Sequence, residues 1–320
     1  MSRFMWETLV QIFPYAIALT IPLLITALGA LYCERSGVVN IGLDGFMIIG
    51  SFSCALTIVS VEKFFPGSNL AVWLGLLVSL IVGGIFSLLH AFASINLSAN
   101  QVISGTAINM MAGSLTLFLA RNITGSGTIR VQGFTKFDMP VLSQIPIIGD
   151  LFFKNTYITT WVALIIILFT CYLLYKTRFG LRLRSCGENP HASDAAGINV
   201  YKMRYIGVII SGALGSLGGA IYLVTFAGEF NGTVGGFGFL ALAALIFGQW
   251  RPLAILAATL FFGTAWTISN VSDVLPQLQA IPPVCLKIFP YVMTLIALVV
   301  FSKSSQAPKA SGEPFSHSER

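Results

Sequence analysis

The 320-residue sequence predicts an all-α polytopic membrane protein of about nine transmembrane or partly broken helices, carrying an inverted internal repeat. Three observations predict it. Charged residues make up 9% of the chain against about 25% in soluble domains, and 56% are hydrophobic, too few charges to cover a water-facing surface. Apolar runs such as Trp161–Leu174 are continuous, whereas a membrane β-barrel alternates apolar and polar residues. Two polar, glycine-rich stretches interrupt the apolar pattern in corresponding places.

Each helical span needs roughly 20 apolar residues to cross a hydrocarbon core about 30 Å thick. The apolar runs place spans near 9–33, 46–61, 70–94, 101–120, 157–175, 204–226, 237–249, 252–271 and 284–302. The first contains Pro14 and Pro22 and runs on to Cys33, too long for the apolar core of a cleavable signal. The seventh is short. Residues 1–302 therefore form one membrane domain, and 303–320, rich in Ser, Pro and charge, read as a disordered tail.

Orientation follows from the loop 176–203. With Arg204 just beyond it, this stretch gathers Lys176, Arg178, Arg182, Arg184 and Lys202, which places it in the cytoplasm. Counting spans outward puts the tail inside and the N-terminus outside. The outer loop 121–156, with Gly125, Gly127, Gly133, Pro140, Pro146 and Gly149, reads as a lid, a docking surface or a variable loop. The net charge of +6 arises from loops between apolar runs, so lipid is the expected surroundings and nucleic acid is not a partner.

The first interruption runs from Glu34 and Arg35 through Asn40, Gly42 and Asp44 to Phe46; the second runs from Gly228 and Glu229 through Asn231, Gly232, Thr233, Gly235 and Gly236 to Phe237. Aligned on Asn40 and Asn231, both read Asn-x-x-[Leu/Val]-x-Gly-Phe, and Gly29-Ala30-Leu31-Tyr32 matches Gly219-Ala220-Ile221-Tyr222 upstream. They follow spans one and six, which run in opposite directions. Irregular backbone at membrane depth is tolerated only where protein buries it or it lines a watery cavity. Carboxylates that deep are expected to be paired or functional. The candidate pathway residues are Asn40, Asp44, Asn109, Glu229, Asn231, Thr233, Gly235 and Gly236. The alternative is a pair of interfacial turns with Glu34, Asp44 and Glu229 in water, Arg35 pairing locally with Glu34, and Asn109 bonding a neighbouring helix. Glycines at Gly83-Gly84 and from Gly212 to Gly219 read as close helix packing.

Within the basic loop, Asn189 is a good N-cap, Pro190 suits the first helical position and Gly197 the terminating one. This predicts a short helix over 190–196, presenting small residues (Ala192, Ser193, Ala195, Ala196) for docking into another protein.

No Gly-x-x-x-x-Gly-Lys-[Ser/Thr] occurs, so the chain carries no P-loop. The five cysteines lack paired or metal-ligand spacing. His90, His191 and His317 are scattered, with His90 reading as interfacial. No metal site, cofactor site or catalytic constellation is expected, and the chain reads as a transport subunit rather than an enzyme.

Four ordered stretches carry a resemblance: Glu34–Gly45, Gly187–Pro190 with Ala196–Ile198, Gly236–Gly248, and Trp250–Leu253. Together they resemble the permease subunits of bacterial ABC importers of the branched-chain amino acid and ribose permease superfamily, closest to its nucleoside or simple-sugar branch. The resemblance covers roughly 10–300. It implies a multi-pass protein of the bacterial cell (inner) membrane, paired with a second, related permease subunit. It also implies a cytoplasmic ABC ATPase that binds ATP and Mg, and an extracytoplasmic substrate-binding lipoprotein. Gly187, Glu188, Asn189, Pro190, Ala192, Asp194 and Gly197 match the ATPase-coupling region. Alternating access would expose the ligand to unwound backbone, with Phe46 and Phe237 as candidates for stacking on a base. Sugars and branched-chain amino acids remain alternative substrates. An ion-coupled transporter using Glu34, Asp44 or Glu229 is the rival mechanism, though it gives the 190–196 helix no task.

Overall fold

The computed structural model describes residues 2–271, residues 306–316 and scattered positions between 284 and 299, so most of the ninth expected span lies outside the described residues. The helices in chain order are α1 (Ser2–Arg35), α2 (Leu43–Glu62), α3 (Asn69–Ala91), α4 (Gln101–Thr124), α5 (Ile158–Lys176), α6 (Arg178–Glu188), α7 (Pro190–Ala195), α8 (Val200–Tyr222), α9 (Phe237–Phe247) and α10 (Pro252–Val271). Two residue pairs, β1 (Ile129–Arg130) and β2 (Glu229–Phe230), form the small sheet among the described residues, antiparallel with Ile129 opposite Phe230. Seven of the described helices are long and apolar enough to cross a membrane. At the usual rise, α9 is only about 16 Å long. It is half a span, as the short seventh run suggested.

Caps mark where helices begin. Ser68 accepts from the Leu70 amide, Asn100 from Val102 and Ile103, and Asn199 from Lys202, each satisfying an end that has no helical acceptor. The unexpected element is α6. Thr177 caps it by accepting from the Gly180 amide, and it lays an amphipathic turn of the basic loop against the ends of α1, α5 and α8.

Helix α8 is the hub against which α1, α2 and α3 pack, and small residues permit it. A side chain added at Gly50 of α2 or Gly83 of α3 would strike Ser216, and one at Gly29 of α1 would strike the Ser211 carbonyl. Conversely, one at Gly218 would strike Thr26, and one at Gly219 the Met47 backbone. Hydroxyls use the same close approach: Ser216 donates to the Phe46 carbonyl (2.8 Å) and Ser51 to the Gly219 carbonyl (2.7 Å).

Composition alone predicts a disordered tail, and the structure corrects this for residues 306–316. They lie against the face of the bundle that carries α6, α7 and the end of α1, with Pro308, Ala310 and Phe315 buried. The reason is tertiary: backbone groups and one ring of an otherwise polar segment find partners already held by the helices.

Candidate functional site

The first interruption leaves α1 at the basic face and climbs into the bundle. Asn40 bonds Ser211, which lies about 16 Å along α8 from its first residue at the rise of a regular helix. Seven residues of non-helical backbone therefore run from the basic face into the bundle, where buried polar groups need a protein partner. Side chains from three helices supply several of them. Gln101 of α4 accepts from the Val39 amide (2.6 Å), and His90 of α3 contacts the Val39 carbonyl through Nε2 (3.0 Å). Asn109 of α4 donates to the Ile41 carbonyl (2.9 Å) and accepts from the Gly45 amide (2.7 Å). Asn40 donates to Ser211 Oγ (2.9 Å) and accepts from the Gly42 amide (3.0 Å). Gly105 lets α4 approach, since a side chain there would meet the Gly42 and Ile41 amides.

The second interruption starts where α8 ends in a π-turn at Leu223–Ala227 on the opposite face. Its Glu229 and Phe230 pair with Ile129 and Arg130 of the 121–156 loop, and Arg130 Nε lies 3.4 Å from Glu229 Oε2. The chain then turns on itself: Asn231 accepts from the Thr233 amide (3.3 Å) and Thr233 Oγ1 from the Gly235 amide (3.0 Å). Gly232, Gly235 and Gly236 have φ of 83°, 64° and 79°, which a side chain would strain. Asn231, Thr233 and Gly235 are exposed, and nothing lies within 4 Å of where a side chain would project from Gly235 or Gly236.

The two interruptions meet. Asp44 Oδ1 accepts from the Gly238 amide (2.9 Å), so a carboxylate in the first turn of α2 caps the N-terminus of α9. Contact is close enough that a side chain at Gly238 would strike the Asp44 backbone. One break rises from the basic face, the other comes from the opposite face, and the helices that follow them begin side by side.

At the basic face, the end of α1, the α6–α7 corner and the α9–α10 turn form a joint. Glu34 is buried, and its Oε2 accepts from Trp250 Nε1 (2.5 Å). Arg35 donates to the Trp250 carbonyl (2.9 Å) and reaches Glu188 Oε1 at 3.6 Å. The adjacent acid and base are thus not a local ion pair; each engages a different element. Trp250 and Gln249, at the α9–α10 turn, hold φ of 53° and 50°, a left-handed conformation that non-glycine residues adopt only when the surroundings impose it. Asn189 accepts from the Ala192 amide (3.0 Å), Pro190 takes the first turn of α7, and Gly197 has φ 78° just past its end. Ala192 and Gly197 are exposed, Asp194 is half-buried, and Ser193 is buried rather than presented, its hydroxyl bonded to the Asn189 carbonyl. Gly187 is buried against the Arg35 carbonyl, where a side chain would strike. An open groove beside α7 is lined by Ser185, Glu188, Asn189, Ala192, Ala196 and Ile198.

Several expectations change. Asn40 is fully buried and Asn109 is spent on backbone, so both hold the first break in shape. His90 is buried inside the bundle, where the unwound loop supplies the Val39 carbonyl its ring needs, and does not lie at an interface. Phe46 packs on Phe86, and Phe237 on Tyr222 and Trp266, so neither ring is free to stack on a base. Gln101 carried no signal in the sequence, Arg204 only its charge beside the basic loop, and Trp250 only its place in the Trp-Arg-Pro-Leu stretch. The buried Cys186 thiol is pushed up by desolvation, in keeping with a packing role.

A family model described as the permease component of branched-chain amino acid transport systems matches residues 12–298. The chain is 46% identical over 310 residues to the guanosine ABC transporter permease protein NupQ of Bacillus subtilis, covering 95% of this chain and 96% of the relative. It is 42% identical over 293 residues to the nucleoside ABC transporter permease protein NupC of Lactococcus lactis, covering 91% and 92%. It is 33% identical over 248 residues to the putative glucose ABC transporter permease protein TsgC13 of Haloferax volcanii, covering 75% and 71%. No solved structure matches. Seven helices of membrane-spanning length among the described residues, two broken segments joined at Asp44 and Gly238, and a match across residues 12–298 make this chain a multi-pass membrane protein of the branched-chain amino acid transport permease family.

Proposed function

We propose that this chain is the membrane subunit of an ATP-driven importer for nucleosides, moving substrate by alternating access powered by a separate ABC ATPase. The observation that carries the reading is the junction of the two breaks at Asp44 and Gly238, beside an open, glycine-lined stretch at Asn231–Gly236. Likeness to guanosine and nucleoside permeases over nearly the whole chain favours nucleosides over sugars or branched-chain amino acids.

The pathway wall is the exposed side of the second break together with α4. A side chain at Gly113 of α4 would lie beside the Gly232 carbonyl, while Thr106, Met110 and Ser114 leave the same helix exposed. Hydroxyls, an amide and free backbone on one open face suit a polar ligand, and a second, related permease would close it. Asn40, Asp44 and Asn109 shape this wall from behind, and Glu229, tied to Arg130, borders its entrance. A binding lipoprotein would deliver substrate at the 121–156 loop.

The coupling surface is the groove beside α7. Small exposed residues there admit a partner, and Arg35 links Glu188, the last residue of α6, to Trp250, so force on the α6–α7 corner reaches the α9–α10 turn. ATP and Mg belong to the ATPase. The bonds already made by Glu34, Asp44 and Glu229 weigh against the ion-coupled alternative.

The test is uptake of labelled guanosine by proteoliposomes holding the complex purified from its native membrane. Uptake that needs internal ATP, is blocked by vanadate and is competed by unlabelled nucleosides is expected. Uptake driven by an ion gradient without ATP sinks the reading. Ala192→Trp, which adds bulk at an exposed position, should abolish ATP-driven uptake while the subunit still folds.

A further inference from the structure

Residues 306–316 run as a strap across the basic face and touch each part of the joint. The Gln306 amide donates to Gln249 Oε1 (3.1 Å), and Gln306 Oε1 accepts from Arg251 Nε (2.9 Å), at the α9–α10 turn. The Ala310 amide donates to the Gly187 carbonyl (2.9 Å), and the Gly312 amide to the Gly37 carbonyl (3.2 Å) at the foot of the first break. Arg204 Nη1 of α8 donates to the Glu313 carbonyl (2.9 Å), and the Tyr201 hydroxyl to the Phe315 carbonyl (3.1 Å).

Phe315 is the anchor. It is 4% exposed, and its ring lies 5.2 Å from that of His191 on α7 and 5.4 Å from that of Tyr201 on α8, with the Arg204 guanidinium 6.0 Å away. Arg204 is 1% exposed, and its Nε and Nη2 have no hydrogen-bond partner among the described residues. Burying a cation this poorly satisfied is unfavourable, so the cover over it is held by the other contacts of the strap. The groove on the other side of α7, lined by Glu188, Ala192 and Ala196, stays open with the strap in place. A partner can therefore press on α7 while the strap holds it.

We infer that residues 306–316 are a coupling strap, with Phe315 and Arg204 as positioning residues that make α7, the first break and the α9–α10 turn move as one body. The inference rests on α7 being the ATPase contact, as proposed above. Without the strap, α7 can yield to the ATPase while Gly37 and Gln249 stay behind, and ATP is hydrolysed without transport.

The experiment measures guanosine taken up per ATP hydrolysed by the full complex in proteoliposomes. Phe315→Ala should lower that ratio about tenfold, within the span usual for coupling between sites. The ATPase should still co-purify, and Phe315→Leu should recover most of the ratio. Gly312→Pro provides a second variant, because at an exposed position it both removes the amide donated to Gly37 and forbids φ 85°, leaving the packing of Phe315 and Arg204 untouched at the outset. It should lower the ratio in the same direction, and it decides the matter alone if Phe315→Ala does not accumulate. A wild-type ratio in Gly312→Pro, or in a folded Phe315→Ala complex, overturns the strap. A wild-type complex that takes up no guanosine with ATP overturns instead the reading beneath it.

Discussion

Asp44 on α2 and the Gly238 amide on α9 are joined across 2.9 Å, although they belong to different halves of the chain. A carboxylate at a helix N-terminus satisfies an amide that has no helical acceptor and meets the positive end of the helix dipole. Asp44→Ala should therefore lower stability by about 1 kcal/mol. Asp44→Asn, which keeps an acceptor, should lose less. Thermal unfolding of the purified complex in detergent checks both; equal losses would mean that the cap is not what Asp44 contributes.

Asn109 satisfies the Ile41 carbonyl and the Gly45 amide at once. Asn109→Leu leaves both without a partner inside the bundle, at about 1–3 kcal/mol for each orphaned group. Faster hydrogen exchange confined to residues 38–45 is the expected signature. Exchange unchanged there would show that water or another side chain already serves these groups.

Glu34 and Trp250 allow a cleaner separation. Trp250→Phe strands a buried carboxylate, whereas Glu34→Gln still accepts from the indole. The first should destabilise by about 2 kcal/mol or more and the second by much less. The double variant Glu34→Leu with Trp250→Phe should recover part of the loss, because both polar partners leave together. A double-mutant cycle reads this directly; additive losses would mean that the two residues act independently.

The Arg130–Glu229 pair is the opposite case. The Arg130 side chain is largely in solvent and the Glu229 side chain partly so, so an exchange of the two charges should move stability by less than about 1 kcal/mol. If Glu229 borders the entrance, Glu229→Lys should raise the KM for guanosine uptake with stability unchanged. An unaltered KM removes Glu229 from the pathway.

Close packing at α8 should tolerate least. Gly50→Val places branched carbon onto the Ser216 backbone, and overpacking of that kind costs about 3 kcal/mol or more. The expected result is loss of folded complex from the membrane, seen as aggregation during detergent gel filtration. A monodisperse Gly50→Val complex of wild-type thermal stability would mean that α2 and α8 separate easily.

The residues alone were enough for membrane helices, for their order, for the α7 cap at Asn189 and for two matching breaks at Asn40 and Asn231. Each of these is a local or periodic property: apolar length, an acceptor before a helix, glycine where a side chain would strain. What the side chains do inside the bundle is not local. Asn40 and Asn231 occupy matching places in the pattern, yet one is buried against Ser211 and the other is exposed, because only the first break is enclosed by α3, α4 and α8. Glu34 and Arg35 are neighbours in the chain and part company in space, one to the Trp250 indole and the other to Glu188. The segment 306–316 is polar enough to stay in water, and folds back because its few backbone donors and one ring meet partners brought together from α6, α7, α8 and the first break. Composition sets where a chain can go in a bilayer; the pairing of buried polar groups, which depends on residues far apart in sequence, was decided only by the tertiary structure.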